Sequence, residues 1–345
     1  MNHTAFPKIS LAIDNCFCSK RWTRPAEWMV LIRDMGVTLI EASADTECDP
    51  LYMGAAYMAD WAGETERAAA ELGVRIANLY SGHGTYATLG LTHTDERVRA
   101  RIRDRWIKPQ MALAARLGAG FGFFTHAIPD YAMRDSEIYA GYLNLLYDTL
   151  ADIAVYAQEI GLSAVSVEQM YSPHQPPWTL SGADELLREV LQRSGTPMYL
   201  TLDTGHMNGQ KNFQKTAEQD WLYAEPRDAD HIAWLRRFAC YSPIIHLQQN
   251  DGISSPHWPF SAAYNAKGII RAEAVLAAIA ESYAQPDTLP GLPRCEHILL
   301  TLEPFIGTAA VPGAALDEIA ESVRYWRGFI PEDGMALDKI VGGII

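Results

Sequence analysis

Four separate segments of the chain are apolar and β-prone and end on a side chain that can bind a divalent metal ion. They read SAVSVE, MYLTLD, PIIH and ILLTLE, and they end at Glu168, Asp203, His246 and Glu303. If these segments are neighbouring parallel strands, their polar ends converge at one rim, which is where an α/β barrel keeps its chemistry. Two glutamates, an aspartate and a histidine without thiolate suit Mn²⁺, Mg²⁺ or Co²⁺ better than structural zinc.

The spacing of the four residues indicates consecutive strands. Their separations are 35, 43 and 57 positions, which is one βα unit or slightly more per step. A single carboxylate at a strand end can simply cap the following helix. Four candidates on successive strands favour a metal site.

The elements that must position these residues follow a repeated βα pattern. Helix-like stretches end in glycine and lead at once into a β-run at Gly36, Gly73, Gly118, Gly161 and Gly195, and glycine accepts the left-handed turn that closes a helix. Strands are predicted at about 8–13, 37–43, 74–80, 120–125, 163–168, 197–203, 243–247 and 297–303. Helices are predicted near 25–35, 60–72, 95–117, 136–160, 182–193, 229–239, 271–283 and 314–327.

Eight alternating pairs predict an α/β protein with a single (β/α)8 TIM barrel over residues 1–330. The strand-to-helix segments 169–181, 204–228 and 247–268 are long, as expected for the catalytic face. The tail, residues 331–345, is apolar for a terminus. We expect it to pack on the barrel or on a partner subunit, in a homo-oligomer that is a dimer or a tetramer.

Composition excludes several classes of protein. The formal net charge of −14 opposes binding to nucleic acid or to anionic lipid. No apolar run reaches the roughly 18 residues that cross a bilayer, and the first residues lack the features of a signal peptide. Five scattered cysteines suit a reducing compartment. We therefore expect a cytoplasmic protein with no nucleic-acid or membrane partner.

The chain resembles the xylose isomerase-like barrel superfamily of sugar isomerases and epimerases, in particular its ketose 3-epimerase and hydroxypyruvate isomerase branch. The resemblance rests on LDTGH at 202–206, IHL at 245–247 and LE at 302–303. It implies that the four strand-end residues hold the metal, that Glu168 and Glu303 also act as the acid/base pair, and that His206 contacts the substrate. As an alternative, His206 orients a carboxylate.

The chemistry is consistent with this resemblance. A proton next to a carbonyl becomes removable when a metal ion polarises the carbonyl oxygen and stabilises the enediolate, and a carboxylate is a base that persists beside a cation. Two carboxylates on opposite sides of a planar enediolate can remove a proton from one face and return one to the other.

Further candidates for substrate binding lie near the predicted rim. His83 and His126 follow the third and fourth strands, and Glu41 ends the second, where it binds substrate hydroxyls or only satisfies backbone amides. Lys20 and Arg21, with Arg24 nearby, form a basic loop that receives a phosphate or is merely solvated. Trp178 is a candidate wall of the sugar pocket, although a single tryptophan is often only a packing residue.

These observations predict a metal-dependent isomerase or epimerase of a small ketose or ketose phosphate, such as a tetrulose phosphate. Mn²⁺ is the first choice of cofactor, with Mg²⁺, Co²⁺ or Zn²⁺ as alternatives. A sugar-acid or inosose-type dehydratase or decarboxylase would use the same scaffold. An abasic-site endonuclease requires more histidine ligands and a basic groove, and a non-catalytic sugar-binding barrel would not need two metal-bound glutamates.

Overall fold

The structure is a computed structural model that describes residues 6–82, 90–125 and 128–343. The strands are β1 (Lys8–Asp14), β2 (Leu39–Ser43), β3 (Arg75–Ser81), β4 (Gly120–Phe123), β5 (Val165–Glu168), β6 (Tyr199–Asp203), β7 (Ile244–Leu247), β8 (His297–Leu302) and β9 (Met335–Ala336). The helices are α1 (Pro25–Asp34), α2 (Ala44–Glu47), α3 (Gly54–Leu72), α4 (Glu96–Ile102), α5 (Lys108–Arg116), α6 (Ser136–Glu159), α7 (Leu180–Ser194), α8 (His231–Phe238), α9 (Ala262–Asn265), α10 (Ala272–Ala284), α11 (Pro312–Arg327) and α12 (Leu337–Gly342).

Strands β1 to β8 form a closed parallel barrel. Each strand pairs with the next in sequence, and β1 pairs with both β2 and β8, which closes the ring. The prediction of a (β/α)8 barrel is therefore confirmed. The register aligns Asp203 with His246 and Asp14 with Glu41, so polar strand ends become neighbours at one rim.

One irregularity of the sheet lies beside Glu41. The β2–β3 register advances from Ile40 opposite Ile76 to Glu41 opposite Asn78, so β3 carries one extra residue at this point. A bulge of this kind changes the direction of neighbouring side chains. Here it aligns Asn78 with Glu41, and the Asn78 amide donates to Glu41 Oε2 at 2.6 Å.

The helices agree with the predicted pattern except where backbone chemistry interferes. The helix predicted at 95–117 is divided into α4 and α5 by a π-turn at Arg103–Ile107. The division comes just before Pro109, which lacks an N–H and whose ring crowds the preceding turn. Gly73 and Gly195 end α3 and α7 with φ of 68° and 67°, as the glycine pattern predicts.

The helices cover the barrel with apolar side chains. Trp28, Trp234 and Trp326, from α1, α8 and α11, are completely buried. Strand residues such as Ile40 and Leu300 are equally buried and belong to the same apolar core as these tryptophans. No helix in the described part of the chain is long and apolar enough to cross a membrane.

The C-terminal segment packs on the start of the first strand. Strand β9 pairs antiparallel with Lys8 and Ile9, and the Leu337 N–H donates to the Pro7 carbonyl at 2.9 Å. Leu337 and Ile340 of α12 are 0% and 3% exposed. Since Lys8 and Ile9 begin β1, this contact lies at the end of the barrel opposite the polar rim.

Removing the buried contacts of α12 should destabilise the whole barrel. Leu337→Ala should lower the free energy of unfolding by about 2–5 kcal/mol, because it deletes a fully buried side chain. Lys339→Ala, in the same helix and exposed, is the matched control and should change it little. Denaturant unfolding of both variants tests this, and equal stabilities would show that α12 is not part of the cooperative core.

Candidate metal centre and its cavity

The four predicted metal ligands meet at the carboxyl ends of neighbouring strands. Glu168 and Asp203 are the last residues of β5 and β6, His246 lies within β7, and Glu303 directly follows β8. One ligand atom from each lies within 4.8 Å of those of the others. All four are buried, with Glu303 the most exposed at 5%.

His246 lies at the centre of this cluster and contacts three glutamates. Its Nδ1 lies 2.8 Å from Glu168 Oε1 and 3.3 Å from Glu303 Oε2, and its Nε2 lies 2.6 Å from Glu41 Oε1. Burial lowers the pKa of His246, but Glu303, Glu41 and Glu168 raise it more, so the net pKa is well above the ordinary value. Glu41 thus holds Nε2 of His246, and Nδ1 faces Glu168 and Glu303.

The structure gives Glu41 two partners that the sequence did not predict. We expected it to bind substrate hydroxyls or to satisfy backbone amides, but its carboxylate bonds instead to the His246 ring and the Asn78 amide. A carboxylate on the second nitrogen of a metal-binding histidine orients the ring and raises its basicity. Glu41 therefore acts on the site through His246.

Two carboxylate oxygens in the cluster make this a good fit for a cation. Asp203 Oδ2 and Glu303 Oε2 are buried and accept no well-aligned hydrogen bond from the described residues, although the Nδ1 atoms of His246 and His257 each lie 3.3 Å from Glu303 Oε2. Asp203 Oδ1, in contrast, accepts from the N–H groups of Gly205 and His206 and from the Gln248 amide. A buried carboxylate oxygen without a donor is unfavourable, and coordination by a divalent ion removes that penalty.

The close approach of Gln248 to Asp203 requires glycine at position 205. A Cβ atom on Gly205 would lie 2.4 Å from Gln248 Cδ. Gln248 Nε2 donates to Asp203 Oδ1 at 2.8 Å, so this amide orients the carboxylate. Burial raises the pKa of Asp203, but His206, His257 and His246 lower it more, and the net direction is downward.

His257 is a site residue that the sequence analysis missed. It forms a second candidate cluster with Asp203 and His206, its Nδ1 lies 3.3 Å from Glu303 Oε2, and its ring stacks on Phe305 with centroids 4.1 Å apart. It lies in the long loop after β7 rather than at a strand end, so no strand pattern marks it. The only available signal was that this loop belongs to the catalytic face.

A cavity of about 380 Å³ opens above the cluster. Its lining includes Glu168, Glu303, His206 and His257, together with Tyr80 from β3. The Tyr80 hydroxyl, also absent from the sequence predictions, donates to Glu168 Oε2. Volumes of this order are typical of small-molecule sites.

The other predicted substrate-binding residues divide into three groups. His206 and Lys20 line the cavity, whereas Arg21 and Trp178 are not among its lining residues. His83 and His126 lie outside the described residues.

Arg21 and Trp178, for which the sequence left both a pocket role and a structural role open, have other partners in the structure. The Arg21 guanidinium donates to the carbonyls of Phe17, Ile306, Gly307 and Ala310, so it stabilises a loop. Trp178 packs with Ile128, Tyr139 and Leu222 in a separate apolar cluster. Arg24, the other arginine of the predicted basic loop, pairs with Glu64 on the surface.

Comparison with known proteins adds independent information. The sequence model of a family described as xylose isomerase-like TIM barrel matches residues 29–283. D-erythrulose 1-phosphate 3-epimerase of Brucella abortus (strain 2308) is 29% identical over 274 residues, which are 77% of this chain and 79% of that protein.

Solved structures share the barrel. A candidate xylose isomerase from Rhodospirillum rubrum gives a TM-score of 0.75 at 19% identity and covers 93% of this chain and 99% of its own. An L-ribulose 3-epimerase gives 0.61 at 18% identity, with 97% and 96% covered. At these identities the likeness establishes a common fold.

His257 should make the stability of the metal-free protein depend on pH. Burial lowers its pKa, but Glu303 and then Asp203 raise it to about 9, above the ordinary 6.5. Protonated His257 therefore stabilises the fold fully below about pH 6.5, and this contribution is lost as the pH rises through about 9. From about pH 6 to pH 10, the wild type should lose up to about 3 kcal/mol more unfolding free energy than His257→Gln.

Denaturant titrations at the two pH values test this difference. His231→Gln is the control, because burial lowers the pKa of His231 and that residue cannot produce the alkaline loss. Parallel pH dependence in the wild type and His257→Gln would contradict the assignment.

Proposed function

Since this chain belongs to the xylose isomerase-like TIM barrel family, we propose that it is a divalent-metal-dependent 3-epimerase of a small ketose or ketose phosphate. The observation that carries the proposal is the position of Glu168 and Glu303. Both carboxylates approach Nδ1 of His246, at 2.8 Å and 3.3 Å, and both line the cavity. Two buried carboxylates facing one cavity are the arrangement that proton removal and return require.

The proposed metal ligands are Glu168, Asp203, His246 and Glu303. Three carboxylates and one imidazole favour a hard or borderline ion, and Mn²⁺ is the first choice. When bound, such an ion would polarise the substrate carbonyl and stabilise the negative charge that develops on its oxygen.

The acid/base work is assigned to the two glutamates. One carboxylate removes the proton from the carbon next to the carbonyl, and the other returns a proton to the opposite face. Each has its own neighbour: the Tyr80 hydroxyl donates to Glu168, and His257 lies 3.3 Å from Glu303 Oε2. These neighbours hold the carboxylates in place, and burial at 1% and 5% exposure limits the access of water.

The substrate class is supported by the relative and by the cavity. The Brucella abortus protein is named for a phosphorylated four-carbon ketose, and a cavity of about 380 Å³ suits a molecule of that size. His206, which also lines the cavity, is proposed to contact the substrate. The net charge of −14 supports a small-molecule partner and opposes nucleic acid.

Metal binding should stabilise the fold as well as permit turnover. At Mn²⁺ concentrations about 100 times Kd, the unfolding free energy should rise by about 2.7 kcal/mol. Asp203→Asn should abolish most of this gain, because the amide keeps an acceptor for the N–H groups of Gly205 and His206 but removes the charge. Asp338→Asn, exposed in α12, is the control and should retain the full gain.

Thermal melts with Mn²⁺ and with a chelator measure this gain directly. Full activity in a chelated preparation would refute the metal site. Equal Mn²⁺ stabilisation of wild type and Asp203→Asn would refute the ligand assignment.

Solvent exchange should reveal the two-carboxylate mechanism. In D₂O, erythrulose 1-phosphate should gain deuterium at carbon 3, the carbon next to the carbonyl that is inverted, while it epimerises. Glu168→Gln and Glu303→Gln should each lower epimerisation by about 10²- to 10⁴-fold, because each removes one base. Glu332→Gln, exposed in the tail, is the control.

The same experiment separates the competing reactions. One mutant can retain one-sided exchange, in which deuterium enters without inversion. Product free of solvent deuterium would contradict the mechanism, and a product that has lost water or CO₂ would favour a dehydratase or decarboxylase.

A further inference from the structure

The cavity has a strongly uneven distribution of charge. Its buried residues include the carboxylates of Asp14, Glu168 and Glu303, whereas Lys20 is exposed and is its only lysine or arginine among the described lining residues. Three buried carboxylates therefore lie on the floor, the half-buried Asp45 adds a fourth to the lining, and the Lys20 cation lies toward solvent. An anionic group on a substrate would be attracted to the Lys20 side of the cavity.

The backbone at Lys20 has an unusual conformation. Its φ is 66°, in the left-handed region that non-glycine residues rarely adopt. The turn is held by the Cys18 carbonyl, which accepts from the N–H groups of Arg21 and Trp22 at 2.8 Å and 3.0 Å. Strained residues of this kind are concentrated at ligand-binding sites. The Lys20 ammonium itself has no hydrogen bond or ion pair within the described ranges, so its donors are available.

The neighbouring Arg21 fixes the loop that forms another part of the same wall. Its guanidinium donates to Gly307 O at 2.5 Å and to Ile306 O and Ala310 O at 3.4 Å each. Gly307 and Thr308 line the cavity, as does Ser19 beside Lys20. The two neighbouring cations thus have different roles. Arg21 positions the loop at 306–310, and the Lys20 side chain is available to bind a ligand.

We propose that Lys20, with the hydroxyls of Ser19 and Thr308, binds the phosphate of a phosphorylated ketose. This inference rests on the proposed function and names the substrate class. Three donors from two loops suit the oxygens of a phosphate, and an ammonium binds that dianion as a point charge. With the phosphate held at the exposed end, the carbonyl and the carbon that exchanges its proton extend toward the acidic floor, so Lys20 also sets the orientation in which the substrate binds.

The test compares Lys20→Met and Arg24→Met. Arg24 is the matched control because it is a nearby cation that pairs with Glu64 away from the cavity. For erythrulose 1-phosphate, Lys20→Met should raise KM about 10- to 100-fold, the loss of one charge-assisted contact, with little change in kcat. Unphosphorylated erythrulose should be converted equally by all three proteins, and inorganic phosphate should inhibit Lys20→Met at least about 10-fold more weakly.

A second variant separates binding from folding. Lys20→Gly removes the side chain and relieves the backbone, because glycine adopts φ near 66° without strain. It should keep or raise the melting temperature and still lose the preference for the phosphorylated substrate. A variant that loses stability and acts equally on both substrates would assign Lys20 a structural role only.

The outcomes distinguish this inference from the proposed function. If ketoses are epimerised but Lys20→Met treats phosphorylated and free erythrulose as the wild type does, the phosphate site is refuted and the epimerase stands. If no ketose is converted, yet calorimetry shows that inorganic phosphate binds in a Lys20-dependent manner, the anion site stands and the epimerase does not.

Discussion

The concentration of buried carboxylates at one end of the barrel is the constraint on which the rest of the site depends. Asp14, Glu41, Glu168, Asp203 and Glu303 are each at most 5% exposed. So many like charges cannot remain ionised together in a low-dielectric interior without compensation. The pKa of Asp14 is raised by burial and by Glu41 and Glu303, whereas that of His246 is raised by its three glutamate neighbours. Bound protons and histidine side chains therefore compensate the negative charge of the cluster. A divalent cation would provide the same compensation.

Uncharged amides allow the loop after β7 to be buried next to this cluster. The Gln248 side chain donates through Nε2 to Asp203 Oδ1 and Ser255 Oγ, and its Oε1 accepts from the His257 backbone N–H. Gln249 holds the following turn through the Ile270 backbone. An additional charge at these positions would have to be compensated in turn, whereas an amide orients its neighbours and adds no net charge.

The sequence predicted the parts of the site that follow strand periodicity. Glu168, Asp203 and Glu303 end apolar runs, and a parallel barrel brings such ends together whatever the loops do. Residues that depend on loop paths could not be predicted in this way: His257 reaches the cluster from a loop with φ of 49° at that residue, and Arg21 resembles an anion ligand until its carbonyl partners are known. The contacts of Glu41 with His246 and Asn78 could not be predicted for a similar reason, because strand pairing sets which residues are adjacent but not which side chains bond.

The barrel closes by pairing its first strand, β1, with its last strand, β8. Lys8 of β1 pairs with His297 of β8 and with Ala336 of β9. During synthesis from the amino terminus, β1 therefore has only β2 as a parallel partner until β8 has been made. Its other edge stays open for that time, and an open apolar edge invites pairing with other chains. The order of the strands thus delays barrel closure until β8 has been synthesised, so nascent chains are expected to depend on chaperones more than the folded protein does.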